Sequence, residues 1–121
     1  MRRVIVESPY AGTSWFAPVR WWQRYQNVRY ARRCVRHALS LREAPFASHL
    51  LYTQPGILDD NDPHEREWGI AAGLILGDVM DATVVYTDRG ISRGMRYGIE
   101  AAQKAGRQVE FRTLGKMEVR Q

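Results

Sequence analysis

The chain has 121 residues, 45% hydrophobic, 11% aromatic and 26% charged, a length for one compact domain and a composition that excludes intrinsic disorder. No apolar run reaches the roughly 18 residues of a membrane span, since even Trp68–Met80 is broken by Gly69, Gly73, Gly77 and Asp78. The net charge of +5 is uneven, with nine Arg against Glu7 alone over residues 1–42 and an acidic remainder; a solvated arginine-rich helix face or an acidic partner such as nucleic acid accounts for it.

The apolar residues between Arg3 and Glu7 are too few for a signal-peptide core. Cys34 is the one cysteine, so an internal disulfide and a cysteine zinc cage are excluded and a cytoplasmic setting is expected.

In chain order, Val4-Ile5-Val6 reads as a buried strand feeding the turn Ser8-Pro9-Tyr10-Ala11-Gly12. Asn27 to about Arg42 is predicted helical, with Val28, Ala31, Val35, Ala38 and Leu39 on one face and Arg29, Arg32, Arg33 and Arg36 largely on the other. Pro45-Phe46-Ala47 is a second strand, entered by a proline that a ladder tolerates only near an end. Asp62-Pro63-His64-Glu65 carries an N-cap, a proline at the first helical position and a glutamate placed for a capping box. The apolar helix it opens runs to about Met80, and Thr83-Val84-Val85-Tyr86 is a third strand. Ser92 caps a last helix ending at Gly106, a C′ glycine, and Val109–Arg112 is the final strand.

Alternating strands and helices predict one α/β domain over residues 1–121 with a parallel, doubly covered sheet, Val4–Val6 and Val84–Tyr86 being adjacent central strands. Ligands in such sheets collect outside the carboxyl ends of the strands. That selects the loops Ser8–Gly12, Ser48–Gln54 and Thr87–Gly94 as the site.

Within Thr87–Gly94, Ser92 offers a hydroxyl at a helix N-terminus, Arg89 and Arg93 offer charge, and Gly90 and Gly94 permit close approach, a set suited to a phosphate or carboxylate or to an ordinary capped turn. Tyr10 either closes over a base or sugar or packs on its own domain. His49 is a donor or base, or a histidine satisfied locally. Asp59 and Asp60 bind sugar hydroxyls or do acid–base work, or belong to a solvated turn; their spacing is not that of an EF-hand, and no metal or cofactor is expected. Cys34 lies mid-helix on the apolar side, a core position. Trp15, Phe16, Trp21, Trp22 and Tyr25 alternate with Arg20 and Arg24 across Thr13–Gln26, a pattern for a lid or subunit interface or for stacking nucleic-acid bases.

Ser8-Pro9-Tyr10, Asn27, His49-Leu50-Leu51, Leu58-Asp59-Asp60 with Pro63 and Glu65-Arg66, and Asp88-Arg89-Gly90-Ile91-Ser92 with Gly94-Met95 together resemble a small phage and bacterial domain of unassigned function. That domain is similar in turn to nucleoside 2-deoxyribosyltransferases and 2′-deoxynucleoside 5′-phosphate N-hydrolases. The likeness spans roughly residues 3–113, with Thr13–Gln26 as an insertion.

The resemblance implies a flavodoxin-like three-layer sandwich, a dimer or higher oligomer, a cytoplasmic location (the host's, if phage-encoded) and a nucleoside or nucleotide pocket. It places Ser8, Tyr10, Gly12, Asn27, His49, Asp88, Arg89, Gly90, Ser92 and Gly94 at the ligand. It also puts the enzymes' nucleophilic glutamate at Gly98 and their second acid near Gly73, where this chain has no carboxylate. Glu100, two helical steps further, faces away by about 200°, which leaves Asp59, Asp60, Glu65 and Asp88 as candidate relocated acids.

Three functions follow as expectations. The first is a binder, or sequestering protein, for a nucleotide or ADP-ribose-like metabolite. The second is an N-glycosidase or deoxyribosyltransferase with relocated carboxylates. The third is an interaction module gripping protein or nucleic acid through its basic aromatic segment. At least a dimer is expected, with Trp21 or Trp22 buried between subunits.

Overall fold

The computed structural model describes residues 1–115. Along the chain come β1 (Arg2–Glu7), α1 (Ala17–Ser40), β2 (Glu43–Phe46), a single turn α2 (Ser48–Leu51), α3 (Pro63–Gly77), β3 (Ala82–Tyr86), α4 (Arg93–Lys104) and β4 (Gln108–Arg112). The strands form one all-parallel sheet in the order β2-β1-β3-β4. As expected, β1 and β3 are adjacent and central, with Val4 opposite Ala82 and Val6 opposite Val84.

The pleat divides the side chains between two layers. Val4, Val6, Ala82, Val84 and Tyr86 form the core with Tyr30, Cys34 and Ala38 of α1, so every second strand residue serves that face. On the other face Ile5 abuts Gly77 of α3, Glu7 abuts Gly98 of α4, and Thr83 accepts from Arg107 Nε at 3.0 Å. Covered on both sides, β3 is buried at every position, the pattern of a doubly packed parallel strand. From β1 the chain crosses to β2 on one side, and from β3 to β4 on the other. The winding reverses between β1 and β3, and a crevice opens at their carboxyl ends.

Several local signals operate as expected. Asp62 caps α3, accepting from His64 N at 2.9 Å, and Ser92 caps α4, accepting from Met95 N at 3.2 Å. Gly106 follows α4 with φ +72°, a conformation that favours glycine.

Other expectations are corrected. α1 begins at Ala17, not Asn27, so most of the Thr13–Gln26 segment is the first part of one long helix that Pro18 helps to start. Its buried stripe is Asn27, Tyr30, Ala31, Cys34 and Ala38, while Leu39 is exposed, because the residues at i, i+3, i+4 and i+7 from Asn27 are the ones that face the sheet. Glu65 does not complete a capping box on Asp62, because its Oε1 accepts from Asp59 N at 2.9 Å. α3 ends at Gly77, and Ser48–Leu51 is helical rather than loop.

On the α1 face, Arg2 and Arg112 clasp Glu43 and Glu110. Arg112 Nη2 lies 2.8 Å from Glu43 Oε2, both side chains being almost wholly buried, and Arg2 reaches both carboxylates. The pairing holds Glu43 below the usual carboxylate range, Arg112 being the main cause and burial opposing it.

Candidate functional site

The site is built where the loops after β1 and β3 meet α1. Asn27, buried in α1, joins them: its Nδ2 donates to the carbonyls of Tyr10 (3.2 Å) and Ala11 (3.4 Å), and its Oδ1 accepts from Arg89 Nε at 3.0 Å. The side chain that the resemblance placed at the ligand ties the loops after β1 and β3 to α1. Gly12 has a similar scaffold role, since a Cβ there would lie 2.8 Å from Arg20 Cγ and overlap the Arg20 carbonyl.

Around β1's end, buried Ser8 pairs its Oγ with His49 Nε2 at 3.0 Å. The Tyr10 ring meets His49 edge-on at 6.1 Å, and the Arg24 guanidinium lies 5.5 Å above the Tyr10 ring. Burial holds the His49 imidazole down at about 4, so it is neutral at physiological pH, one ring nitrogen donating and the other accepting.

Beyond β3, Asp88 is clamped. Tyr30 Oη donates to Asp88 Oδ1 at 2.6 Å and accepts from Asp88 N at 3.0 Å, while Leu114 N donates to the carboxylate at 3.1 Å. Burial works to raise this acid, but the bonds from Tyr30 and the backbone leave it lowered. Gly90 makes the turn with φ +84°, Ser92 spends a lone pair on the α4 cap, and Gly94 has only Ser92 Oγ near its missing Cβ.

Between α1 and this loop lies a cavity of about 440 Å³, lined by Arg29, Tyr30, Arg33, Asp88 and Arg89 among others, a volume in the range of small-molecule sites. Arg29 and Arg33, one helical turn apart, join Arg89 there. Sequence reasoning had read these two as part of a solvated face; their i,i+4 spacing was the available signal. Tyr10 and Ser92 do not line this cavity.

The candidate relocated acids each have a local place in the structure. Asp59 accepts from Asn61 N at 3.0 Å and Glu65 accepts from Asp59 N. Asp60 lines a separate depression with Asn61, Pro63 and Arg66, and Asp88 holds the clamp. Gly73 carries no side chain, and a Cβ there would meet Ser48 Cβ and Oγ at 3.5 Å. Among the described residues no group of three or more His, Cys, Asp or Glu is placed to hold a metal, and no helix is long and apolar enough to cross a membrane.

The carboxylate that sequence reasoning missed is Glu7, the last residue of β1. A Cβ on Gly98 would stand 2.5 Å from Glu7 Cδ and 2.9 Å from Oε1, and would overlap Oε2. The acid occupies the volume that a side chain at position 98 would fill. Its only signal in sequence was a charge ending an apolar strand.

A four-stranded parallel sheet reversing its winding at β1 and β3 is an α/β fold of flavodoxin type. The chain belongs to the family described as a domain of unknown function, DUF7768, whose model matches residues 2–112. Among solved structures it is similar to a 2-deoxyribosyltransferase from the psychrotolerant bacterium Bacillus psychrosaccharolyticus. The TM-score is 0.60 and the identity 15%, over 92% of this chain and 72% of that one. No curated protein matches.

Proposed function

We propose that the crevice at the carboxyl ends of β1 and β3 receives a nucleoside- or nucleotide-type small molecule. The base and sugar meet Ser8, Tyr10 and His49, and an anionic group is met by Arg89, Arg29 and Arg33. The observation that carries this reading is the Asn27 bridge: by bonding both the Tyr10 backbone and Arg89, it ties an aromatic, hydrogen-bonding loop to one of the arginines of the guanidinium-lined cavity. Arginine forks suit phosphate oxygens and give charge-assisted hydrogen bonds. The 2-deoxyribosyltransferase likeness is consistent with a nucleoside-related ligand.

Calorimetry against deoxynucleosides, their 5′-monophosphates and dinucleotide-type signals tests the reading. Tighter binding of phosphorylated than unphosphorylated members is expected. Failure of every member to bind defeats it. A sequestering protein returns the bound molecule unchanged, whereas an N-glycosidase releases free base, and chromatography of the same mixtures separates the two.

Self-association belongs to the same proposal. Trp21 and Trp22 are 62% and 60% exposed on α1, and Trp68, Leu74 and Ile75 are exposed on α3, large apolar side chains that a contact would take out of water. A second copy of the chain is the partner this surface fits.

A further inference from the structure

Glu7 is an acid drawn in beneath a helix with no ion-pair partner among the described residues. Asp62 caps a helix, Glu43 and Glu110 pair with arginines, Asp81 pairs with Arg3, and Asp88 serves the Tyr30 clamp. No donor among the described residues lies within hydrogen-bond reach of the Glu7 carboxyl. Its electrostatic neighbour Arg107 is itself bonded to Thr83 Oγ1 and the Gly77 carbonyl. A half-buried acid beneath α4 is an unusual choice on a central strand, where an apolar residue would extend the layer that Ile5 begins. The acid closes β1 one residue before Ser8, at the carboxyl ends of the two central strands between which the winding reverses, with its carboxyl on the face that α4 covers. Gly98 makes this possible, because any larger residue on α4 would displace the carboxyl.

We propose that Glu7, seated in the volume Gly98 leaves open, is the catalytic carboxyl group of this site and moves the proton that releases a base from its sugar. The proposal rests on the nucleoside-type reading of the crevice. The carboxylic acid donates its proton to the base as the C1′–N bond breaks, and the bonding electron pair leaves with the base. A water oxygen then bonds to C1′ of the oxocarbenium-like sugar and passes a proton to the Glu7 carboxylate. The sum is nucleoside plus water giving base plus free sugar, with Glu7 restored. Burial, opposed by the charge of Arg107, pushes the Glu7 carboxyl up to about 8. At neutral pH it therefore holds the proton it is to give, and a neutral carboxyl is a donor rather than a nucleophile.

The test measures free-base release from 2′-deoxynucleosides and their 5′-monophosphates, with calorimetry on the same proteins. Glu7→Gln keeps the shape and removes the proton; it should lose about 100- to 10,000-fold in kcat while affinity stays within about threefold. In the wild type, kcat should fall as pH rises through about 8. Gly98→Ala should also lose turnover by pushing the carboxyl aside, and Glu7→Ala combined with Gly98→Glu should recover part of it by returning a carboxyl from the helix. Wild-type turnover in Glu7→Gln overturns the proposal. So does a wild type that binds ligand without releasing base, an outcome that leaves the binding reading standing; binding of no ligand removes both. If Glu7→Gln does not fold, a wild-type profile with no falling limb near pH 8 overturns it instead.

Discussion

Tyr30 and Asp88 are joined twice: the phenol donates to the carboxylate at 2.6 Å and accepts the Asp88 backbone N–H at 3.0 Å. This reciprocal pair ties the loop after β3 to the middle of α1. Tyr30→Phe removes both bonds and should cost about 1.5–3 kcal/mol, the range for a hydrogen bond to a charged group. A denaturant midpoint unchanged from wild type would show that the clamp holds nothing.

Glu7 gives stability an unusual pH dependence. Its carboxyl goes up from 4.5 to about 8 on folding, so the folded state holds the proton more tightly, and stability falls as pH rises across that window. Glu7→Gln cannot ionise. The stability of the variant relative to wild type should therefore rise steadily from about pH 5 to pH 8 in chemical denaturation. A constant difference would mean that Glu7 titrates as an ordinary surface acid.

Arg89 and Arg33 line the same cavity from different elements. Arg89→Ala and Arg33→Ala should each weaken 5′-monophosphate binding by about 10- to 150-fold, corresponding to about 1.5–3 kcal/mol per charge-assisted contact. Calorimetry should show a smaller loss for the unphosphorylated nucleoside. Equal losses for both would move the anionic group elsewhere.

Glu43 is the buried acid between Arg2 and Arg112. Glu43→Ala leaves Arg112 buried without its nearest carboxylate and should cost about 3–5 kcal/mol at neutral pH. Because its arginines hold Glu43 below the ordinary 4.5, this contribution is complete above that pH and is lost as pH falls through the lowered value. The gap between wild type and Glu43→Ala should accordingly narrow in acid, as thermal melts across pH would record.

Light scattering at micromolar concentration should give a mass above the 14.0 kDa chain. Trp21→Glu combined with Trp22→Glu should return it to monomer by placing charge on the contact. A wild-type monomer would count against self-association, and an oligomer indifferent to these changes would move the contact to α3.

Most of the fold was legible locally. Val4-Ile5-Val6 and Thr83–Tyr86 announce themselves as short apolar runs, Asp62-Pro63 and Ser92 as helix starts, and Gly106 as a helix end, since each of these acts through its immediate neighbours. The start of α1 was hidden because Trp15–Tyr25 mixes aromatics and arginines with no clean helical period. The true stripe through Tyr30 and Cys34 was hidden because closeness to the sheet, not hydropathy alone, chose it.

The site divides the same way. Sequence by itself determined which loops gather at the strand ends, because parallel pairing and right-handed crossovers leave few alternatives, and it determined that position 98 carries no acid. It could not tell that Asn27 would bridge two loops, that Arg29 and Arg33 would share a cavity with Arg89, or that Glu7 would fill the space above Gly98. Those relations join residues far apart along the chain and leave no periodicity or spacing behind. Only the packing of α1 and α4 against opposite faces of β1 and β3 creates them, because a side chain's partner is set by which surface comes to rest on it.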